Sequence, residues 1–392
     1  MNEHHIPESV RLARRTLLAS APLWLGGCAQ GRQEARFADV HRRIRRAIAD
    51  RQTLGAVVAI GHGGQVVYHG AFGLRAVVPQ RLPMQWETRF DMASLTKVLI
   101  TAPSVMQFWE QGLFDLDDPV ARYWPAFGAN GKDGITIRML LTHYSGLPPD
   151  LDLIETWSGR EAALQRVIAA APTATPGRNF VYSDINFITL GVLVEQWSGM
   201  SLADYAREHI LLPLGMTESG FLPPEAWRAS IAPTQYDEHG HLLQGVVHDP
   251  TARRMGGVAG HAGLFSDARD TIFYAQALLD RLAGRPSAFP LKQATLRMMT
   301  TPQQPRTDAT DLRGLGWDIA THFSSPRGDI FPKGSFGHTG FTGTSLWFDP
   351  LSDSYVMLLT NRVHPDGKRS VVSLRRDVAT LAAKALGLEK TV

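Results

Sequence analysis

The chain has 392 residues, 44% of them hydrophobic and 20% charged, an ordinary globular composition with length for one large domain or two modest ones. Forty basic against 37 acidic residues leave a formal charge of only +3, which argues against nucleic acid as a partner. With a single cysteine, a disulfide framework is excluded and packing must hold the domain together.

The first 28 residues read as an export segment. Arg11, Arg14 and Arg15 precede a short apolar stretch from Thr16, which ends in Leu25-Gly26-Gly27-Cys28. The stretch is too short to span a bilayer stably. Leu-Gly-Gly-Cys resembles a bacterial lipobox, with Cys28 as the lipidated first residue, and Ala13-Arg14-Arg15-Thr16-Leu17-Leu18 resembles a twin-arginine signal. The expectation is an exported, periplasmic protein attached to a membrane through its lipidated N-terminus. Residues 29–36 then form a linker and residues 37–392 the domain.

A helical pattern over 37–50 carries Arg42, Arg43, Arg45 and Arg46, read as a solvated face. Strand-like runs at 56–60 and 65–69 flank Gly63-Gly64, a hairpin signal. Helical patterns follow near 95–111, 160–170, 186–197 and 270–282, joined by Gly- and Pro-rich connections. At the far end, runs at 344–348 and 355–360 flank Asp349-Pro350, and a last helical pattern covers 370–385. The order implies an α+β fold: a largely antiparallel sheet built from both chain ends, flanked by helices, with a helical region inserted over roughly 98–330.

Three short segments carry chemistry. Ser94 and Lys97 are three residues apart, so a helix would turn both into one pocket, and a serine hydroxyl needs such a base to attack at neutral pH. A lysine acting as a simple base must lose about 3 pH units of its ordinary pKa, roughly 4–5 kcal/mol of differential stabilisation. Ser94-x-x-Lys97 is the one match in the chain, about what chance supplies, so alone it is also compatible with an ordinary helix start. Tyr182-Ser183-Asp184 offers a phenol for proton relay, or equally a helix entry capped by Ser183 or Asp184. His338-Thr339-Gly340 offers hydrogen bonds on a strand that glycine lets a substrate approach, or a Gly-rich bend.

In this order, the three segments resemble the Ser-x-x-Lys, Tyr-x-Asn and Lys-Thr-Gly signature of serine β-lactamases and penicillin-binding proteins, in the branch of class C β-lactamases and D-alanyl-D-alanine carboxypeptidases. The segment from Ile135 to Leu147, Pro213-Leu214-Gly215-Met216 and Gly314-Leu315-Gly316-Trp317 share the likeness, which runs from about Phe37 to the C-terminus. The resemblance implies a β-lactamase/transpeptidase-like fold and a serine hydrolase that needs no cofactor. It implies Ser94 as acylated nucleophile, Lys97 as proton acceptor and Tyr182 as proton shuttle. Asp184, His338, Thr339, Gly340 and Phe341 would meet the substrate, with the N–H groups of Ser94 and Phe341 as oxyanion hole.

Two departures bear on this. Asp184 replaces the family's Asn, and a carboxylate beside Lys97 favours the ammonium, which leaves Tyr182 a larger share. His338 replaces a common Lys and is only partly charged near neutral pH, which argues against a dedicated β-lactamase. Val247-His248-Asp249-Pro250 and the segment from Gly256 to Ser266 resemble a subgroup of envelope proteins, some acting on peptidoglycan fragments. His248, Asp249 and His261 read as polar residues shaping the groove; without a His-Glu-x-x-His motif no metal is expected. The expected activity is acyl transfer to water on a small-molecule or cell-wall peptide amide. A carboxylesterase or weak β-lactamase on the same scaffold, and a muropeptide or penicillin binder without turnover, are the alternatives. Oligomeric state is left open.

Overall fold

The computed structural model describes residues 35–389, so the expected export segment, Cys28 and most of the linker lie outside the described residues. Helix α1 (Ala38–Ala49) opens the domain. Val40, Ile44 and Ala47 recur at helical spacing and are fully buried, while Arg42, Arg45 and Arg46 face solvent and Arg43 donates to Asp377. Strands β1 (Gly55–His62) and β2 (Gln65–Ala76) form the expected hairpin, with Gly63 and Gly64 both at positive φ. β3 (Leu82–Pro83) pairs at the edge of β2 and β4 (Phe90–Asp91) leads into the site.

The middle of the chain holds α2 (Ala102–Glu110), α3 (Ile137–Thr142), α4 (Arg160–Ala169), α5 (Asp184–Ser198), α6 (Leu202–Ala206) and α7 (Pro250–Arg254). β5 (Phe265–Ser266), α8 (Ala268–Leu282) and α9 (Gln293–Met299) follow. β6 (Leu312–Arg313), β7 (Asp318–Ala320), β8 (Phe336–Thr339), β9 (Ser345–Asp349), β10 (Ser354–Thr360) and α10 (Val372–Ala385) complete the domain. The main sheet runs β3-β2-β1-β10-β9-β8-β7-β6, antiparallel throughout, and β4 pairs with β5 separately. The fold is the α+β architecture read from the sequence, with β1 and β10 joining the two chain ends from Ala56 opposite Thr360 to His62 opposite Ser354. One boundary changes: β6 and β7 fall inside the 98–330 insert yet belong to the main sheet, so the insert closes before Leu312. At two and three residues these strands are too short to show a period-two pattern.

Helices cover both faces of the sheet, so β1 and β10 are near-continuous apolar runs. On one face Ala56, Val58, Ile60, Val356 and Leu358 pack with α1 and α10. On the other, Val57, Ala59, Met357 and Leu359 join the larger core with α2, α5 and α8. α5 is buried from Ile185 to Val194 and stands behind the site as a rigid post. Among the described residues no helix is long and apolar enough to cross a membrane.

Candidate active site

After β4, Ala93 adopts φ +48°, a left-handed conformation that alanine rarely takes, and Ser94 follows at the start of the next helix. The turn is stitched down. The buried Asp91 carboxylate accepts from Ala93 N–H (2.8 Å) and His248 N–H (2.7 Å). Thr342 and Thr344 donate to Asp91 O and Met92 O at 2.7 and 3.1 Å. Burial pushes the Asp91 carboxyl up to about 6 despite its two N–H donors. Gly340 completes the fit: a Cβ there would lie 2.1 Å from Thr344 Oγ1 and 2.6 Å from Met92 O. Among the described residues, no acceptor takes the main-chain N–H of Ser94 or Phe341, and both residues line the cavities described below.

Lys97 begins a π-helical turn (Lys97–Thr101) ahead of α2, and its side chain is completely buried. Nζ donates to Ser94 Oγ at 3.1 Å and to His261 O at 2.9 Å, and forms an ion pair with Asp184 Oδ1 at 2.6 Å. Burial opposes charge on this amine, but the Asp184 carboxylate and the Tyr182 phenol outweigh it and hold the ammonium above the ordinary lysine range. The structure thus sets the Asp184 charge directly against Lys97.

Tyr182 sits at the entry to α5 and sets its ring 5.1 Å from Lys97 Nζ. Burial raises its pKa, with Lys97 pulling the other way. His143 holds the ring from behind. Helix α3, capped by Thr136 Oγ1, ends on His143 at φ +60°, which lets Nδ1 accept from Ser183 N–H and meet Asn186 Nδ2 while the imidazole stacks on Tyr182 at 4.4 Å. Burial keeps His143 neutral, far below the ordinary histidine range. Ser183 stands at the cap position of α5, but its hydroxyl donates to Pro148 O and does not cap.

Two cavities meet at Ser94, Tyr182 and Phe341. One, about 340 Å³, runs along β8 and is lined by His338, Thr339, Arg313, Arg362 and Arg375. The other, about 690 Å³, is acidic, with Asp184, Asp237, Glu238 and Asp249 in its wall beside His248 and Arg253. His338 differs from its sequence reading. Buried at β8 with Nδ1 3.0 Å from Thr339 O, it is driven far below its ordinary pKa by burial and by Arg313, and is neutral, not partly charged. Its lobe nevertheless keeps positive charge. Arg375 donates to Gly340 O and Thr344 O at 2.7 Å, and Arg362 donates to Phe341 O at 2.6 Å and stacks on the Phe341 ring. Arg313, Arg362 and Arg375 thus stand in this lobe where position 338 carries no lysine. These arginines and His143 were missed as site residues because α10, β6 and the segment after β10 reach the site only through the fold.

The loop after α7 delivers His261. Gly260 touches α5 so closely that a Cβ would lie 2.0 Å from Phe187 O, and Thr101 Oγ1 donates to Gly260 O at 2.6 Å. We expect Gly260→Ala to lower unfolding stability by about 1–3 kcal/mol through main-chain displacement, read by urea titration; unchanged stability would mean the loop yields freely. Polar atoms of Asp184, Asp249 and His261 lie within 4.8 Å of one another, a spacing a metal could use. The Lys97 ammonium already pairs with Asp184, and Asp249 Oδ1 holds His261 Nε2 at 2.8 Å, so both carboxylates have cationic partners within the protein.

The comparisons with known proteins agree with this geometry. The β-lactamase family model matches residues 40–380. An Escherichia coli (strain K12) protein named "Putative D-alanyl-D-alanine carboxypeptidase" is 29% identical over 343 residues, 76% of each chain. An octameric penicillin-binding protein homologue from Pyrococcus abyssi superposes with a TM-score of 0.69 at 26% identity, over 90% of this chain and 78% of that one. A hydrolase with promiscuous acyltransferase activity shares the fold at TM-score 0.70 and 24% identity, over 88% and 99% of the two chains. With the match spanning nearly all of the described domain, the chain belongs to the β-lactamase family and is a serine hydrolase of the β-lactamase and penicillin-binding-protein type.

Proposed function

We propose that the protein hydrolyses cell-wall peptide or muropeptide amides through an acyl-enzyme on Ser94. The observation that carries this is the row Ser94 Oγ, Lys97 Nζ and Asp184 Oδ1, with steps of 3.1 and 2.6 Å, at the junction of an arginine-lined and an acidic lobe. With Lys97 resting as an ammonium, it relays the proton. As Ser94 attacks the carbonyl, its hydroxyl proton passes to Lys97 Nζ while Lys97 hands one to Asp184. The carbonyl oxygen gathers charge against the N–H groups of Ser94 and Phe341, each such donor contributing about 3–4 kcal/mol in well-formed sites. Tyr182, its ring 5.1 Å from Lys97 Nζ, gives its phenol proton to the departing amine and regains one from Asp184 by way of Lys97. Water then cleaves the ester by the same steps in reverse. The arginine lobe suits a carboxylate on the leaving peptide.

Intact mass spectrometry with a penicillin, an activated ester and a D-alanyl peptide tests the reading. A peptide product with a transient adduct on Ser94 supports it, turnover of the ester alone favours an esterase, and an adduct without product favours a binder. In Asp184→Asn the relay loses its acceptor and the largest force opposing burial at Lys97 is removed, so its pKa falls. We expect activity reduced near neutral pH and rising with pH as Lys97 becomes a simple base; an unchanged kcat/KM profile would refute the relay. We further propose that the protein is exported and lipidated at Cys28, tested by looking for a lipidated Cys28 in the membrane fraction of an expressing bacterium.

A further inference from the structure

The segment around His248-Asp249 and His261 resembled a subgroup and had no task in the chemistry above. The structure joins it to Lys97. His261 is fully buried; its main-chain carbonyl accepts from Lys97 Nζ at 2.9 Å and its imidazole Nε2 meets Asp249 Oδ1 at 2.8 Å. The same Asp249 oxygen caps α7 by accepting from Ala252 N–H at 2.8 Å. Asp249 is therefore pinned by a helix, His261 by Asp249, and Lys97 by His261. Gly260, wedged against Phe187 O on α5, fixes the distance between this loop and the helix that carries Asp184.

Charge sharpens the point. Burial opposes an imidazolium at His261, yet Asp249 outweighs it and holds the residue above the ordinary histidine range. His261 in turn holds Asp249 ionised against its burial. Two ion pairs thus adjoin, Lys97 with Asp184 at 2.6 Å and His261 with Asp249 at 2.8 Å. An ion pair at this depth is stable only while its partners are complete.

We propose that Asp249 and His261 form a positioning pair that aims Lys97 Nζ at Ser94 and holds it beside Asp184. This rests on the relay above and deepens it. Neither residue transfers a proton to the substrate.

The groups facing His261 are Lys97 from the π-turn, Asp184 from the α5 entry, Asp249 from the α7 cap and Asp150 from the loop before α4, whose carboxylate accepts from Thr251 Oγ1 at 2.9 Å. Of these, Asp249 is in direct contact with the imidazole. In Asp249→Asn the hydrogen bonds to Ala252 and His261 can persist while the charge is lost. His261 then becomes neutral at lower pH, so the alkaline limb of kcat/KM moves to lower pH. We expect kcat to fall on the order of 10²-fold with KM little changed, as for a misaimed catalytic group. Asp249→Glu, which keeps the charge, should return the limb towards its original position. A merely structural role would lower the melting temperature and activity without moving the limb, and a superimposable profile would overturn the proposal. NMR titration of the His261 imidazole, assigned by His261→Gln, needs no substrate and so separates this proposal from the failure of the acyl-enzyme reading. A His261 that is neutral at pH 7 would sink the positioning pair even if Ser94 is acylated.

Discussion

Ser94→Ala is expected to abolish the acyl adduct and lower turnover by roughly 10⁴-fold or more while leaving the fold intact. The asymmetry follows from what the hydroxyl does in the resting protein. It accepts one hydrogen bond from Lys97 and meets Tyr182, and the turn around it is held by Asp91, Thr342 and Thr344. Removing one oxygen at a cavity junction disturbs little packing, so the melting temperature should stay within a few degrees of wild type. Lys97 and Asp184 remain paired in the variant. Intact mass with each of the three substrates reads the adduct, and steady-state assays read turnover. Full activity in Ser94→Ala would end the mechanism.

Lys97→Met is expected to destroy both turnover and a good part of the stability. The methionine fills the space but leaves Asp184 without its counter-ion beside the Asp249–His261 pair. Breaking a buried ion pair from one side costs about 3–5 kcal/mol, and the lower end applies because the Asp184 side chain is 18% exposed. Lys97→Met with Asp184→Asn removes both charges and should regain most of that loss, since replacing a whole buried pair is often near neutral. Activity should stay lost in both. Denaturant titration of the three variants completes the cycle: equal stabilities for the single and double variants would show that Asp184 finds water or another partner when Lys97 is gone.

The parts of this architecture legible in the sequence were those repeated over several residues. β1, β9 and β10 are apolar runs bounded by Gly63-Gly64 and Asp349-Pro350, and α1 carries a clean stripe in Val40, Ile44 and Ala47. β2 runs further than its sequence suggests because Gly70 and Gly73 interrupt its second half, which is only partly buried. β4 to β7 escaped notice, as two or three residues carry no period. In the site, Ser94, Lys97, Tyr182 and Asp184 were found through spacing and order, and the conflict between Asp184 and Lys97 was visible from charge alone. The neutrality of His338 was not, because burial decides it. Nor was the contact between Asp249 and His261, which a two-glycine bend and a helix cap bring together across 12 positions.

The pairing of β1 with β10 has a consequence for how the molecule comes into being. The hairpin of β1 and β2 is made early in synthesis, but its neighbour in the sheet arrives only after about 300 further residues, ending at Thr360. Until then one edge of β1 has no strand beside it, and both faces of that strand are apolar. Closing so long a loop is an entropic step that local contacts cannot prepay, and topologies of this kind fold slowly. A nascent chain of this design is therefore sticky for most of its synthesis and depends on a holding factor, or on rapid completion, to avoid pairing its open edge with another copy.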